Sequence, residues 1–250
     1  MTGVRTALYL SLLLLPVLAA HSAFAARPAA ALDSRALLNE LSRQAPELNR
    51  RVLELGLSAL SCASRHDATP PRRYGVIDYS LPSTATRLWV FDLATRRLLY
   101  AERVAHGKYS GDNYTRSFSN EPGSLQTSIG LFRTSETYQG RNGYSLRLDG
   151  LEPGFNDRAR ERAIVMHGAS YVSEKSVKQL GRLGRSWGCP AVRASVARPL
   201  INDLKDGQYV FAYYPDAEWL QRSALLSCKT DSAVIAANPR RDIGLRRDPI

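Results

Sequence analysis

The chain has 250 residues, 44% of them hydrophobic and 23% charged, with a formal net charge of +11. That length carries one sizeable core or two small domains. The basic balance favours an anionic partner. The arginines, though, fall in scattered pairs (Arg72-Arg73, Arg96-Arg97, Arg240-Arg241, Arg246-Arg247) without interleaved aromatics, which speaks for solvated surface charge and against a nucleic-acid groove.

The chain opens with Arg5, an apolar run from Ala7 to Ala20 and the small-x-small triplet Ala23-Phe24-Ala25. This reads as a signal peptide over residues 1–25, cut near Ala25/Ala26. The run is shorter than the ~20 apolar residues a bilayer requires, and no later stretch is long enough to span one. The expected product is exported to the periplasm or cell wall. Arg5 is the only charged residue of the leader, so the mature chain carries +11 − 1 = +10.

Residues 26–32 are Ala- and Pro-rich. Asp33-Ser34 reads as a helix cap, with Leu37, Leu38 and Leu41 on one face. Pro46 breaks that helix and suits the first turn of another, which carries Leu48, Val52, Leu55 and Leu60. Residues 26–73 thus form an N-terminal helical segment ending in the polar linker His66–Arg73.

From Tyr74 the period becomes strand-like. Strands are expected at Tyr74–Tyr79, Arg87–Leu93, Leu98–Val104, Tyr144–Leu148, Arg162–His167 and Gln208–Tyr214. Ser173 and Ser195 can cap helices that end at Gly181 and before Gly207. Residues 106–130 are rich in Gly, Ser, Asn and Pro; a loop of that length lines a site or is disordered. The tail 229–250 reads as loosely ordered. The fold class is α+β, with the main domain over 74–228.

Three cysteines occur, Cys62, Cys189 and Cys228. In an exported chain an odd count leaves one thiol over. If Cys189 stays a thiol, the pair is Cys62–Cys228. Such a bond closes a long loop, worth about 4–5 kcal/mol on the chain-entropy model. The alternative leaves all three free.

Cys189 stands in Ser186-Trp187-Gly188-Cys189-Pro190, and His167-Gly168 ends the apolar run Ile164-Val165-Met166. A thiol on a glycine turn and an imidazole at a strand end are the parts of a nucleophile and its base. Pro190 has no N–H, so an oxyanion hole here draws on Gly188 and Cys189. A backbone carbonyl near Gly168 and a carboxylate are equal candidates for orienting His167. His106, in Val104-Ala105-His106-Gly107, is a rival base or a pocket-lining residue. Ser186 is either turn support or catalytic support, and Trp187 walls the pocket. A zinc site at Cys189 and His167 lacks a further ligand cluster.

The HG…S-x-G-C arrangement, with Gly143–Leu148, Gly154-Phe155-Asn156 and Gly184–Val192, resembles the murein L,D-transpeptidase catalytic-domain family, in its branch of exported bacterial proteins. The resemblance spans roughly residues 74–214. It implies a mostly β catalytic domain with short helices, here preceded by the helical hairpin. It implies Cys189 as nucleophile, His167 as base and Gly168 as the orienting carbonyl. It also implies peptidoglycan stem peptides as substrate, and no metal or organic cofactor. The outcome is a cross-link between third residues, or trimming of the stem if water is the acceptor. In the commoner family pattern an arginine two residues after the cysteine holds a substrate carboxylate. Here that residue is Ala191, which leaves Arg182, Arg185 and Arg193 as candidates. A reading from another class is a basic, non-catalytic peptidoglycan-binding module.

Overall fold

The apolar spacing near the N-terminus yields two helices, α1 (Ser34–Gln44) and α2 (Arg50–Ala63). Asn49 caps α2, its side chain accepting from the Arg51 amide at 2.8 Å. Pro46 lies in the connection and does not open the second helix as expected. The carboxamide of Asn49 satisfies a free amide of the first turn, which proline cannot do. The computed structural model describes residues 34–228. The expected leader, the residues after it as far as Asp33, and the tail 229–250 lie outside the described residues.

The strands are β1 (Arg73–Asp78), β2 (Leu88–Asp92), β3 (Arg97–Glu102), β4 (Gly130–Gly140), β5 (Gly143–Gly150), β6 (Val165–Ala169), β7 (Ala191–Arg193) and β8 (Tyr209–Tyr213). They form one eight-stranded sheet in the order β3-β2-β1-β8-β4-β5-β6-β7. The β1–β8 and β6–β7 pairs are parallel and the rest antiparallel. Between and after the strands come α3 (Glu174–Leu180), α4 (Ala194–Leu204), α5 (Ala217–Arg222) and α6 (Ala224–Ser227). The fold is the mostly β one expected, with short helices.

Both faces of the central strands are covered. Tyr74, Val76, Trp89, Phe91, Leu131, Tyr209 and Phe211 pack with α1 and α2. Ile77, Leu88, Val90, Val210 and Ala212 pack with α4 through Leu200, Ile201 and Leu204. Alternate side chains point to opposite faces, so burial on both sides requires the unbroken apolar runs the sequence has. The helical hairpin therefore shares its core with the sheet, and the whole described span falls in one compact unit.

Three local expectations change. Strand β4 had no strand signal, because only its first three residues and Thr134 are fully buried and the rest is half-exposed or exposed. The short β7 was not expected either. Helix α4 starts at Ala194 with no side-chain cap, and Ser195 instead accepts from Arg193 Nη1 at 2.9 Å. Ser173 does cap α3, and Gly181 ends it in the left-handed region at φ 67.

The sheet's two ends meet. The Ala105 amide, just past β3, donates to the Ala191 carbonyl of β7 at 2.7 Å. Beside that bridge Arg193 forms a two-pronged pair with Glu102, both contacts 2.7 Å. The long loop after β3 thereby starts against the strand that succeeds Cys189.

Cys62 of α2 and Cys228, just past α6, form a disulfide with Cα atoms 5.4 Å apart, and Cys189 is free. The bond spans 166 residues of sequence, a closure worth about 5 kcal/mol on the chain-entropy model. Thiol titration in denaturant is expected to give one thiol without reductant and three with it. Three thiols before reduction would contradict the bond.

Candidate active site

Strand β6 holds His167 between two neighbours, opposite Ser145 of β5 and Ala191 of β7. The His167 amide donates to the Pro190 carbonyl at 3.4 Å, which brings the residue after Cys189 to the histidine's backbone. The turn before it is closed by Ser186. Its hydroxyl donates to the Cys189 carbonyl at 2.6 Å and accepts from the Gly188 amide at 3.1 Å. Ser186 is thus turn support. It also joins the long loop, its amide donating to His106 O at 2.9 Å and its carbonyl accepting from Lys108 N at 2.8 Å.

Gly188 has φ +122, and a Cβ there would lie 2.7 Å from the Gln126 carbonyl and 3.0 Å from Ile164 Cδ1. Only glycine tolerates both the dihedral and the approach. Its amide, expected to serve an oxyanion hole, is instead taken by the Ser186 hydroxyl. A donor so placed inside the turn stabilises the turn, and the amide of Cys189 is left as the nearer candidate.

Cys189 is 8% exposed and His167 4%. The His167 Nδ1 lies 3.0 Å from the Gly168 carbonyl. A carbonyl only accepts, so Nδ1 carries the proton in the neutral ring and Nε2 keeps its lone pair. The orienting group is therefore a backbone carbonyl. The Cys189 sulfur accepts from the Val165 amide at 3.4 Å and donates to the Ala163 carbonyl at 3.7 Å. No hydrogen bond joins it to the imidazole.

Burial sets the charge state. Desolvation pushes the thiol up, opposed by the Val165 N–H and the charge of Arg162. Desolvation also pushes the His167 imidazole below its usual value, opposed by the Gly168 carbonyl. Both shifts favour a neutral thiol and a neutral imidazole, because each charged form loses hydration here.

His106 is not a second base. It is buried, its Nδ1 accepts from Arg87 Nη2 at 2.7 Å, and Nε2 faces the Gly111 carbonyl at 3.4 Å. Burial, with the Arg87 charge second, lowers its pKa to about 3. It is a neutral, buried strut under the loop.

The arginines expected near a substrate carboxylate have other partners. Arg193 pairs with Glu102 at the seam. Arg185 donates through Nη1 to Lys108 O, Gly111 O and Asp112 Oδ1, and Arg182 approaches Asp112 at 3.7 Å. The sequence reading missed Arg162, which holds the loop over the Cys189 turn. Nothing in its neighbourhood separates it from the other basic residues of the chain. Loop 106–130 does line the site: Gly107 bridges Ser186, and Gln126 lies on Gly188. Trp187 stands at the rim, 70% exposed. Among the described residues no cluster of three His, Cys, Asp or Glu is placed to hold a metal, and no helix is long and apolar enough to cross a membrane.

A family model for the L,D-transpeptidase catalytic domain matches residues 44–213. This chain belongs to that family. Similar solved structures include an L,D-transpeptidase from Mycobacterium smegmatis, at 15% identity over 58% of this chain and 60% of that one, TM-score 0.37. Another is an L,D-transpeptidase from Mycobacterium tuberculosis, at 16% identity over 58% and 59%, TM-score 0.35. A third is the L,D-transpeptidase of Stackebrandtia nassauensis, at 13% over 74% and 79%, TM-score 0.35. This chain spans less than two thirds of the two mycobacterial chains. No curated protein sequence matches it.

His106 takes up a proton on unfolding anywhere between its folded value of about 3 and the ordinary 6.5. Its contribution to stability is complete above pH 6.5 and shrinks as pH falls. Urea midpoints should show the advantage of the wild type over His106→Gln narrowing between about pH 7 and about pH 5. An advantage that stays constant across that range contradicts the neutral strut.

Proposed function

We propose that this chain is an exported, cysteine-dependent L,D-transpeptidase acting on peptidoglycan stem peptides. One observation carries the reading. The single free thiol sits on a glycine turn whose next residue is bonded to the strand holding His167, and that imidazole is fixed by Gly168 with Nε2 free.

In the proposed reaction the sulfur leaves its backbone partners and gives its proton to His167 Nε2. The thiolate attacks the carbonyl of the stem's third residue, forming a C–S bond and a tetrahedral oxyanion. The Cys189 amide is the candidate donor to that oxyanion, since Ser186 holds the amide of Gly188. The C–N bond to D-alanine breaks, and the imidazolium protonates the departing amine. A side-chain amine of a second stem then attacks the thioester, gives a proton to His167, and returns the thiol. A neutral starting pair suits this order, because His167 acts as a true general base. Ser186, Gly188 and Gly168 are positioning groups, and Trp187 is the exposed wall available to substrate. The net charge of +11 suits a polymer rich in carboxylates. The cleaved leader would place the protein in the periplasm or cell wall.

Incubation of the mature protein with tetrapeptide muropeptides should give, by mass spectrometry, an adduct on Cys189 lacking D-alanine, followed by cross-linked dimers. Cys189→Ala should form neither, and His167→Ala should slow adduct formation by roughly 10²–10⁴-fold. Full turnover by Cys189→Ala would refute the assignment. Trimmed monomers in place of dimers would make it a hydrolase at the same site.

A further inference from the structure

Arg162 lies on the segment that receives the thiol, immediately before Ala163, whose carbonyl accepts from Cys189 Sγ. Ala163 is itself held at φ 53, a region that L-residues rarely enter and that costs on the order of 1–3 kcal/mol. The Arg162 side chain runs under the loop. Nη1 donates to Ser119 O and Ser128 Oγ, both at 2.5 Å. Nη2 donates to Gln126 O at 2.6 Å and to Ser124 Oγ at 3.0 Å. Nε is buried without a partner among the described residues. The Gln126 carbonyl so held is the one that closes over Gly188.

All four acceptors are neutral. Arg162 has no ion pair among the described residues, whereas its neighbour Arg158 pairs with Glu121 and Glu161. Burial lowers the Arg162 pKa, with the charges of Cys189 and Glu121 opposing. A half-buried guanidinium without a counterion is unfavourable unless an anion appears beside it. An ionised Cys189 is one such anion, its charge being among those that raise the Arg162 pKa.

We propose that Arg162 is a positioning residue for Cys189: its fork clamps residues 119–128 onto the nucleophile's turn, and its charge favours the thiolate. This rests on the reading of Cys189 as the nucleophile. The charge of Cys189 also acts on Tyr79 and Tyr171, both held neutral by burial. Among the described residues Arg162 is the one cation whose charge draws the thiol's pKa down.

The test is the pH dependence of Cys189 alkylation by iodoacetamide in the disulfide-intact protein, which needs no substrate. Arg162→Met should raise the midpoint by about one unit and slow alkylation below it about tenfold. Arg162→Lys keeps the charge and loses the fork. Its midpoint should stay closer to wild type, while limited proteolysis within 119–128 quickens. Arg158→Met, which loses only the surface pair with Glu121 and Glu161, should leave the alkylation midpoint unmoved. The charge assignment is overturned by an Arg162→Met midpoint equal to wild type, or by an equal shift in Arg158→Met. If Arg162→Met fails to fold, Arg162→Lys decides the clamp: unchanged protection of 119–128 overturns it. Failure of wild-type protein to acylate on muropeptides would sink the proposed reaction and leave these alkylation results standing.

Discussion

Strand β7 is three residues long and sits at the end of the sheet, where an unsupported edge holds its register poorly. It keeps its place because both sides are engaged. Its inner side pairs in parallel with β6, and its outer side meets Ala105 and the Glu102–Arg193 pair. That seam fixes where the chain leaves β3 and where it enters β7. Two segments distant in sequence, 105–108 and 186–191, are thereby held side by side. Cys189 is inside the second of them. Without the seam, the bonds from Ser186 to His106 and Lys108 would have no fixed partner.

The seam makes the site dry. The loop over the Cys189 turn removes water from thiol and imidazole alike, and burial then works against charge on either. The protein answers with oriented backbone: the Val165 N–H toward sulfur and the Gly168 carbonyl toward Nδ1. These partners do not ionise the pair at rest. They leave the neutral tautomer poised, with Nε2 as the available lone pair. His106 and Arg87 belong to the same logic, one buried donor satisfying one buried acceptor beneath the loop.

Much of this was legible in the sequence, for definite reasons. Strands buried on both faces announce themselves as apolar runs, as in Leu88–Val90 and Tyr209–Ala212. The candidate pair stood out because a cysteine on a glycine turn and a histidine at a strand end are uncommon together. The thiol left over from a Cys62–Cys228 bond was legible by counting. Strand β4 was hidden because most of it is exposed or half-exposed and reads as loop. The partners of Arg193, Arg185 and Arg162 were hidden for another reason. Each depends on which carboxylates, carbonyls and hydroxyls the fold brings near, and charge alone does not encode that. The role of His106 stayed open in the sequence because burial, not residue type, decides how readily an imidazole is protonated.

The helical hairpin is best understood from the sheet outward. Tyr74, Trp89, Phe91 and Phe211 all point to the face opposite α4. Exposed together they would form an apolar patch of the kind that soluble chains rarely leave uncovered. Helices α1 and α2 cover it, joined by α5 and α6 through Trp219 and Leu225. Trp219 adds a buried hydrogen bond to Glu152, whose other oxygen accepts from the Leu131 amide of β4 at 2.7 Å. The Cys62–Cys228 bond then ties α2 to the end of α6. The hairpin stands on the far face from α4, which packs on β6 at Gly168. Its work is to complete the core that keeps β1, β8 and β4 in register, and through them the strand that carries His167 and the turn that carries Cys189.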